Sequence, residues 1–402
     1  MTMEHTLARV TIVTETFAPE INGVAHTLGQ LVKGLRARGI SVQVIRPRQN
    51  KGDVSRQEED LSTVTLPGLP IPGYAELKFG IPLIGRIASA LKDFNPQVVY
   101  VATEGPMGWA AVRAATKADM PVLSGFHTNF HQYIRHYRLA GMEKVAYRYL
   151  RYFHNLTKGT LVPTRTQRDE LDAHGFKNVQ VMARGVDSQA FSPAHRRSDL
   201  REQWGVTDND LVLLYVGRIA GEKNLNLALS TYQRLLAADE KIKMVLVGDG
   251  PELASIRNQF PEIISCGMKR GQELAEHYAS GDIFLFPSKT DTFGNVVTEA
   301  MASGLAVISF DYAAGHEHIV SGTNGMLAPF GEDEAFIQHA ETLSDSPNLL
   351  KRIRHEARLH SEGISWHSIV DEFIQRLSSA QNEVIPDGHR EATDTKNNAT
   401  LP

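Results

Sequence analysis

Two carboxylates eight residues apart, Asp291 and Glu299, lie in a segment that joins an apolar strand-like run to a helical pattern. The segment is Phe-Pro-Ser-Lys-Thr-Asp-Thr-Phe-Gly-Asn-Val-Val-Thr-Glu-Ala-Met-Ala-Ser-Gly at positions 286–304, and we expect its helix to open at Asn295 and to end at Gly304. Both acids can accept hydrogen bonds from hydroxyl groups, one on a sugar and one on a ribose. The alternative is an ordinary strand-to-helix turn whose acids favour a helix N-terminus.

Two cations precede this segment in the same half of the chain. Gly217 and Arg218 follow an apolar run, and Lys223 comes five residues after Arg218. This spacing places two positive charges where they could stabilise a departing diphosphate. The alternative is a solvated loop in which Glu222 pairs with a neighbour.

Glycines follow several of the predicted strands. Gly23 precedes a helical pattern, so its backbone could approach a phosphate, although Asn22 and Gly23 could equally form a simple turn with a helix cap. Gly248 and Gly250 permit close approach by a ligand or by a neighbouring loop.

His127 follows another strand end, where it could donate a hydrogen bond to a sugar or a phosphate. His127 and His131 lack the glutamate of a His-Glu-x-x-His zinc motif, and His316 with His318 has the wrong spacing. The sequence therefore predicts no metal site.

Short β-rich runs alternate with helical patterns through both halves of the chain, which predicts parallel sheets in an α/β fold. The runs are 10–13, 41–45, 98–102 and 122–123 in the first half, and 211–216, 244–247, 263–264, 283–286 and 307–308 in the second. Two facing doubly wound domains with a cleft between them would let each domain hold one substrate. A transferase suits that arrangement.

Composition agrees with a two-domain enzyme. The chain has 402 residues, 42% of them hydrophobic, and its formal net charge of -4 gives no global attraction to nucleic acid. A single cysteine, Cys266, fits a reducing cytoplasm, and the first residues do not form a signal peptide. Residues 383–402 are polar and predict a disordered tail.

Taken together, these residues resemble the family 4 retaining glycosyltransferases of the GT-B fold, and the resemblance covers residues 8–382. The family pattern is Glu, seven residues, Glu, followed by Ala-Met-Ala-Ser-Gly, and Asp291 stands where the family has its first Glu. The resemblance implies an amino-terminal acceptor domain at 1–190, completed by a helix at 366–382, and a nucleotide-sugar domain at 191–365.

The resemblance also implies roles for single residues. Gly23 would lie against the diphosphate, His127 near the reacting sugar carbon, and Arg218 with Lys223 on the leaving diphosphate. Asp291 would contact the donor sugar and Glu299 the ribose. The remaining donor-binding candidates share the same edge of the second domain, and they are Gly217, Lys269, Phe293, Gly294, Asn295 and Val296.

The segments 17–24 and 293–297 resemble the α-mannosyltransferase and diacylglycerol glycosyltransferase subgroup, which uses GDP-mannose or UDP-hexoses. We therefore expect a hexosyltransferase that needs no metal or other cofactor and that glycosylates a lipid or glycan of the cell envelope. The resemblance implies no covalent protein nucleophile. The alternatives are a nucleotide-sugar-binding regulatory protein and a GT-B sugar-nucleotide epimerase.

Residues 133–158 form a basic stretch in the acceptor half, with six Lys or Arg against one acid, Glu143. Interleaved aromatic residues would let such a helix rest on an anionic membrane, at the inner face of the cytoplasmic membrane. The alternative is a solvated helix whose apolar members pack on the sheet; they are Leu139, Met142, Val145, Leu150 and Leu156.

Overall fold

The computed structural model describes residues 7–20, 22–50, 52–71, 74–127 and 142–382, which form two large sheets flanked by helices. The strands of the first half are Arg9–Val13 (β1), Ser41–Pro47 (β2), Arg56–Gln57 (β3), Leu61–Leu66 (β4), Gly68–Ile71 (β5), Tyr74–Gly80 (β6), Val98–Val101 (β7), Val122–Gly125 (β8), Gly159–Val162 (β9) and Val179–Val181 (β10). Those of the second half are Val212–Val216 (β11), Lys243–Val247 (β12), Ile264–Ser265 (β13), Ile283–Phe286 (β14), Ala306–Phe310 (β15) and Met326–Ala328 (β16).

Both large sheets are doubly wound, as the alternation of strands and helices predicts. In the described residues the first sheet has the order β10-β9-β8-β7-β1-β2-β4-β3, and all its pairs are parallel except β3 with β4. The second has the order β13-β12-β11-β14-β15-β16 and is parallel throughout, while β5 and β6 form a separate hairpin. The chain direction across each sheet reverses once, between β1 and β7 and between β11 and β14, and such points are where α/β sheets bind ligands.

The helices that connect these strands cover the faces of the sheets. In the first half they are Gly23–Arg36 (α1), Ile84–Phe94 (α2), Pro106–Lys117 (α3), Met142–His154 (α4) and Arg165–Ala173 (α5). After them come Ser198–Gln203 (α6), Leu225–Leu236 (α7), Leu253–Gln259 (α8), Gly271–Ser280 (α9), Asn295–Ala302 (α10), Ala313–His318 (α11), Asp333–Asp345 (α12), Pro347–Glu362 (α13) and Trp366–Asn382 (α14). No helix in the described ranges is long and apolar enough to cross a membrane.

Helix α1 shows how the sequence sets these elements. The side chain of Asn22 caps it by accepting a hydrogen bond from the backbone N of Ala25 at 2.9 Å. Leu28, Leu31 and Leu35 recur at helical spacing and are fully buried against the sheet. The helix is thus fixed at its N-terminal end by the cap and along one face by the core.

Helix α14 follows the second half in sequence but packs in the core of the first half. Its apolar face, including Val370 and Phe373, is buried together with Leu28 and Leu31 of α1. A Cβ at Gly34 would lie 2.3 Å from Cγ2 of Val370, so the close packing of α1 on α14 requires glycine there. The domain limits of 1–190 and 191–365 stay a prediction, and the proposed tail at 383–402 lies outside the described residues.

Two glutamates lie at the reversal point of the first sheet. Glu15 follows β1, and its Oε1 accepts a hydrogen bond from the backbone N of Met107 at 2.9 Å, in the first turn of α3. Glu104 follows β7 and is 3% exposed, and its Oε1 has no hydrogen-bond partner among the described residues. Burial raises the pKa of Glu15 to about 7 and that of Glu104 to about 8, with repulsion from Glu15 adding to the shift of Glu104.

The buried carboxyl of Glu104, whose Oε1 has no partner among the described residues, predicts how stability changes with pH. Because its folded-state pKa of about 8 exceeds its usual 4.5, the protonated form favours folding, and this contribution is lost as the pH rises through about 8. At pH 8 and above we expect Glu104→Gln to raise the melting temperature by roughly 2–4 °C, since it removes an unpaired buried charge that costs about 1 kcal/mol or more.

Differential scanning fluorimetry of wild type and Glu104→Gln, from the usual glutamate pKa of 4.5 to above the folded-state pKa of about 8, would test the effect. Glu59→Gln, at an exposed position, is the matched control and should follow the wild-type profile. A Glu104→Gln profile parallel to that of wild type would show that the carboxyl does not titrate as proposed.

Candidate active site

An ion pair joins two loops at the reversal point of the second sheet. Lys223 follows β11 and Asp291 follows β14, and Nζ of Lys223 donates to Oδ1 of Asp291 at 2.8 Å, with both side chains largely buried. The loops are also tied by Thr290 Oγ1, which donates to the carbonyl of Glu222 at 3.1 Å, and by Asn224 Nδ2, which donates to that of Pro287 at 3.1 Å. The structure thus brings together two residues 68 positions apart that the sequence analysis had placed in one donor site.

Beside this pair, two acceptor atoms remain without a partner among the described residues. They are Oδ2 of Asp291 and Oδ1 of Asn295, the first residue of α10. Buried polar oxygens are normally hydrogen-bonded, so an orphan pair at a loop and a helix N-terminus is a place where hydroxyl donors of a ligand would be accommodated.

Gly294 shapes the entry to α10. It has φ of 91°, in the left-handed region, and a Cβ there would lie 2.7 Å from Cζ of Phe286. Glycine is therefore required at this position for both conformational and steric reasons. The preceding Phe293 is buried, while Val296 in the first turn of the helix packs against the core of the second half.

Glu299 lies within α10, as the helical pattern predicts, and is oriented from a neighbouring helix. The hydroxyl of Tyr278 in α9 donates to its Oε2 at 3.0 Å. Burial raises the pKa of Glu299 to about 7, although the hydrogen bond from Tyr278 opposes the shift. A carboxyl held by one oxygen leaves the other for a ligand hydroxyl.

The remaining cations of the predicted set are arranged differently. Arg218 is about half exposed, and its Nη1 donates to Oε1 of Glu222 at 3.0 Å, which is the local pairing that the alternative interpretation expected. Lys269, after β13, lies 3.8 Å from the carboxylate of Glu273. The diphosphate contact of Arg218 and the donor contact of Lys269 stay predictions, and for Arg218 such a contact would compete with Glu222.

The glycines after β12 allow the loop after β11 to pack closely against them. Gly217 has φ of 152°. A Cβ on Gly248 would lie 1.9 Å from the carbonyl oxygen of Gly217, and one on Gly250 would lie 2.2 Å from that of Ile219. Of the two interpretations of Gly248 and Gly250, the structure supports close approach by a neighbouring loop.

His127 lies at the end of β8 with both ring nitrogens engaged inside the first half. Nη2 of Arg184 lies 3.1 Å from Nδ1, and the hydroxyl of Tyr100 lies 2.7 Å from Nε2. Because arginine can only donate, Nδ1 is the acceptor, and Nε2 carries the proton that it donates to Tyr100. Burial and the charge of Arg184 hold the pKa of His127 well below its usual range, so the ring is neutral. Its predicted sugar contact stays a prediction.

The two halves approach each other at the N-termini of α1 and α10. A Cβ on Gly23 would lie 3.8 Å from Nδ2 of Asn295, so the turn that opens α1 faces the turn that opens α10. Elsewhere the backbone N of Arg165 donates to Oε1 of Glu317 at 2.7 Å across the same interface. Gly23 therefore lies beside the N-terminus of α10, four residues after Asp291 in the sequence, and its predicted contact with the diphosphate stays a prediction.

Sequence reasoning missed several residues of this site. Arg184, Tyr100 and Tyr278 act on His127 and Glu299 through contacts between distant parts of the chain, and no local motif identifies them. Glu15 and Glu104 carried one signal that was available, since both follow strand ends at the reversal point of the sheet.

Comparison with known proteins identifies the family of this chain. A family model described as "Glycosyltransferase Family 4" matches residues 21–190, and one described as "Glycosyl transferases group 1" matches residues 196–360. A GDP-mannose-dependent alpha-mannosyltransferase of Mycobacterium tuberculosis is 32% identical over 91% of this chain and 95% of its own length. An alpha-monoglucosyldiacylglycerol synthase of Streptococcus pneumoniae is 27% identical over 75% of this chain and 70% of its own length.

The solved structure of sucrose-phosphate synthase from Thermosynechococcus elongatus matches with a TM-score of 0.77 at 15% identity, covering 92% of this chain and 98% of that one. This likeness confirms the GT-B fold. The relatives are transferases and synthases, which favours transfer over the epimerase and the regulatory protein. The chain belongs to the family 4 glycosyltransferases and is a hexosyltransferase that depends on a nucleotide sugar.

Proposed function

We propose that this enzyme moves a hexose of the mannose or glucose type from a nucleoside diphosphate sugar to a lipid acceptor, with retention at the anomeric carbon. The donor lies between the two halves, and the observation that carries this is that Gly23 of the first half lies beside Asn295, four residues after the Asp291 that pairs with Lys223 at 2.8 Å. The names of the two relatives support GDP-mannose as donor and a diacylglycerol-type lipid as acceptor.

The charges at the site suit departure of a diphosphate. Lys223, and Arg218 once it leaves Glu222, neutralise the charge that develops on the leaving oxygen, and the N-terminus of α10 adds its partial positive charge. The acceptor attacks from the face that the diphosphate leaves, and a phosphate oxygen takes the acceptor proton. Neutral His127 is not placed to serve as a base, because its Nδ1 already accepts a hydrogen bond from Arg184.

The sugar and the ribose are recognised by the two carboxylates of the segment. Asp291 offers its unpartnered Oδ2 to sugar hydroxyls, and Glu299 offers the carboxyl oxygen that Tyr278 leaves free to the ribose. The nine residues from Asp291 to Glu299 thus place one acceptor group for each part of the donor on either side of the α10 N-terminus.

Activity assays with defined donors test the proposal directly. Purified protein is incubated with labelled GDP-mannose or UDP-glucose and with vesicles that contain diacylglycerol. We expect glycolipid with an α-linkage and an equal amount of nucleoside diphosphate. Release of an isomerised sugar from donor alone, or no transfer from either donor, would contradict the proposal.

Removal of the donor-binding charges should reduce transfer. We expect Lys223→Ala and Glu299→Ala each to lower kcat/KM by at least about tenfold, because each removes a charged hydrogen bond worth roughly 1.5–3 kcal/mol. Lys351→Ala, an exposed lysine on α13, is the control and should retain activity. Near-normal activity of both site variants would refute the assigned roles.

Helix α4 carries a surface suited to a membrane. Val145, Tyr149 and Tyr152 of α4, and Leu156 two residues after it, follow one another at helical spacing and are 38–68% exposed, whereas Leu150 is buried as the alternative expects. Leu139 lies outside the described residues.

Basic residues flank this apolar stripe. Lys144, Arg148 and Arg151 are exposed, and Arg148 and Arg151 line a shallow depression of about 350 Å³ together with Tyr152, Asn155 and Leu156. An apolar stripe bordered by cations complements an anionic lipid surface, where the acyl region receives the stripe and the headgroups receive the charges. The lipid acceptor would then reach the cleft from a membrane on which the acceptor half rests, at its cytoplasmic face.

Vesicle flotation at low salt tests this surface. We expect Arg148→Glu to lower partitioning onto vesicles with anionic lipid by roughly tenfold or more, since the change alters the surface charge by two units. Tyr152→Ser should weaken binding through loss of apolar contact. Lys351→Glu, on α13, is the charge-matched control. Wild-type protein that does not float, or an Arg148→Glu variant that floats as well as the control, would exclude α4 as the docking surface.

A further inference from the structure

Arg184 is a buried cation without an acidic partner. It follows β10, where the chain leaves the first half, and is 4% exposed. Its Nη1 donates to Oγ1 of Thr27 at 2.9 Å and its Nη2 to Nδ1 of His127 at 3.1 Å, and both acceptors are neutral. In the described ranges no carboxylate forms an ion pair with it. Burial lowers its pKa to about 10, so it keeps its charge at neutral pH.

An uncompensated charge in this position is costly to the folded protein. Buried charges are normally paired, because the loss of hydration exceeds what neutral hydrogen bonds return. By contrast, Lys223 and Arg218 are each hydrogen-bonded to a carboxylate. Unlike these two cations, Arg184 therefore has a charge that an anionic ligand could neutralise.

The surroundings of Arg184 place that anion. Thr27 Oγ1, which accepts from Arg184, donates to the carbonyl of Gly23 at 2.8 Å, so two successive hydrogen bonds connect the guanidinium to the first residue of α1. On its other side the guanidinium lies over the ring of Phe293, 5.6 Å from the centroid, and Phe293 is two residues before Asn295, the first residue of α10. The charge thus lies between the N-termini of two helices, whose partial positive charges add to it.

We propose that Arg184 is a positioning residue for the donor, whose buried charge draws the diphosphate to the gap between α1 and α10 and whose hydrogen bonds hold Thr27 and His127 in place. This inference rests on the proposed function, because it assigns a cation to the diphosphate of that donor. The guanidinium is connected to Gly23 through Thr27, and in a region of low dielectric a single charge has a strong effect.

Two substitutions separate charge from packing. Arg184→Lys keeps the positive charge and changes the hydrogen-bond geometry, whereas Arg184→Gln keeps a hydrogen-bond donor and removes the charge. Binding of GDP and UDP is measured by titration calorimetry, together with binding of guanosine and uridine, which lack the diphosphate. Thermal melting of each apo variant confirms that it is folded, and Arg184→Met, with an unbranched apolar side chain against Phe293, replaces Arg184→Gln if the latter does not fold.

We expect Arg184→Gln to weaken binding of the preferred nucleoside diphosphate by at least about tenfold while the affinity for its nucleoside changes less than about threefold. Arg184→Lys should stay within about threefold of wild type for both ligands. The inference is overturned if Arg184→Gln binds the nucleoside diphosphate as tightly as wild type does. It is also overturned if Arg184→Lys and Arg184→Gln lose the same affinity for that ligand, or if the affinity for the nucleoside falls as far as the affinity for the nucleoside diphosphate. Wild-type protein that binds neither GDP nor UDP would instead overturn the proposed function.

Discussion

The parallel pairing of strands is the constraint on which the rest of this molecule depends. A parallel pair needs a crossover connection, usually a helix, so the parallel strands of a sheet all end at the same edge, and the loops that begin there lie side by side. In the second half this places the loop after β11 beside the loop after β14, and Lys223 meets Asp291 although the two lie far apart in sequence. In the first half the same rule brings Glu15 and Glu104 together after β1 and β7.

The features that could be predicted from the sequence are those that depend on local periodicity. Helix α1 follows from the spacing of Leu28, Leu31 and Leu35, and α10 follows from the helical pattern between Asn295 and Gly304. Apolar runs in the sequence match the strands in the middle of both sheets to within about two residues, and these strands are β1, β2, β7, β8, β11, β12, β14 and β15. Such patterns report which face of an element is apolar, and for these elements that face is the one that meets the core.

The features that could not be predicted are those in which distant residues decide the outcome. Val145 and Leu150 look alike in sequence, yet only Leu150 is buried, because the position of α4 on the sheet decides which apolar face is covered. His127 was noticed as a possible donor to ligands, but its tautomer is set by Arg184, 57 residues away. Arg218 was grouped with Lys223, whereas Glu222 on its own loop competes for it.

Asp291 shows how a departure from a family pattern can be accommodated. The shorter side chain reaches Lys223 directly through Oδ1 at 2.8 Å, which fixes the carboxylate and leaves Oδ2 as the oxygen available to a sugar. If Asp291 contacts the donor sugar as proposed, its shorter side chain requires that the sugar either approach more closely or be bridged by water.

Several buried titratable groups share one energetic property. Their charged forms lack some of the ion-pair or hydrogen-bond partners that would stabilise them. Arg184 lacks a carboxylate, Glu104 lacks a partner for Oε1, and burial raises the pKa of Glu299 to about 7. Each would be stabilised by a ligand that supplies the missing charge or hydroxyl. A protein that retains such groups gives up stability in the free state, and a ligand that satisfies them returns that free energy as affinity.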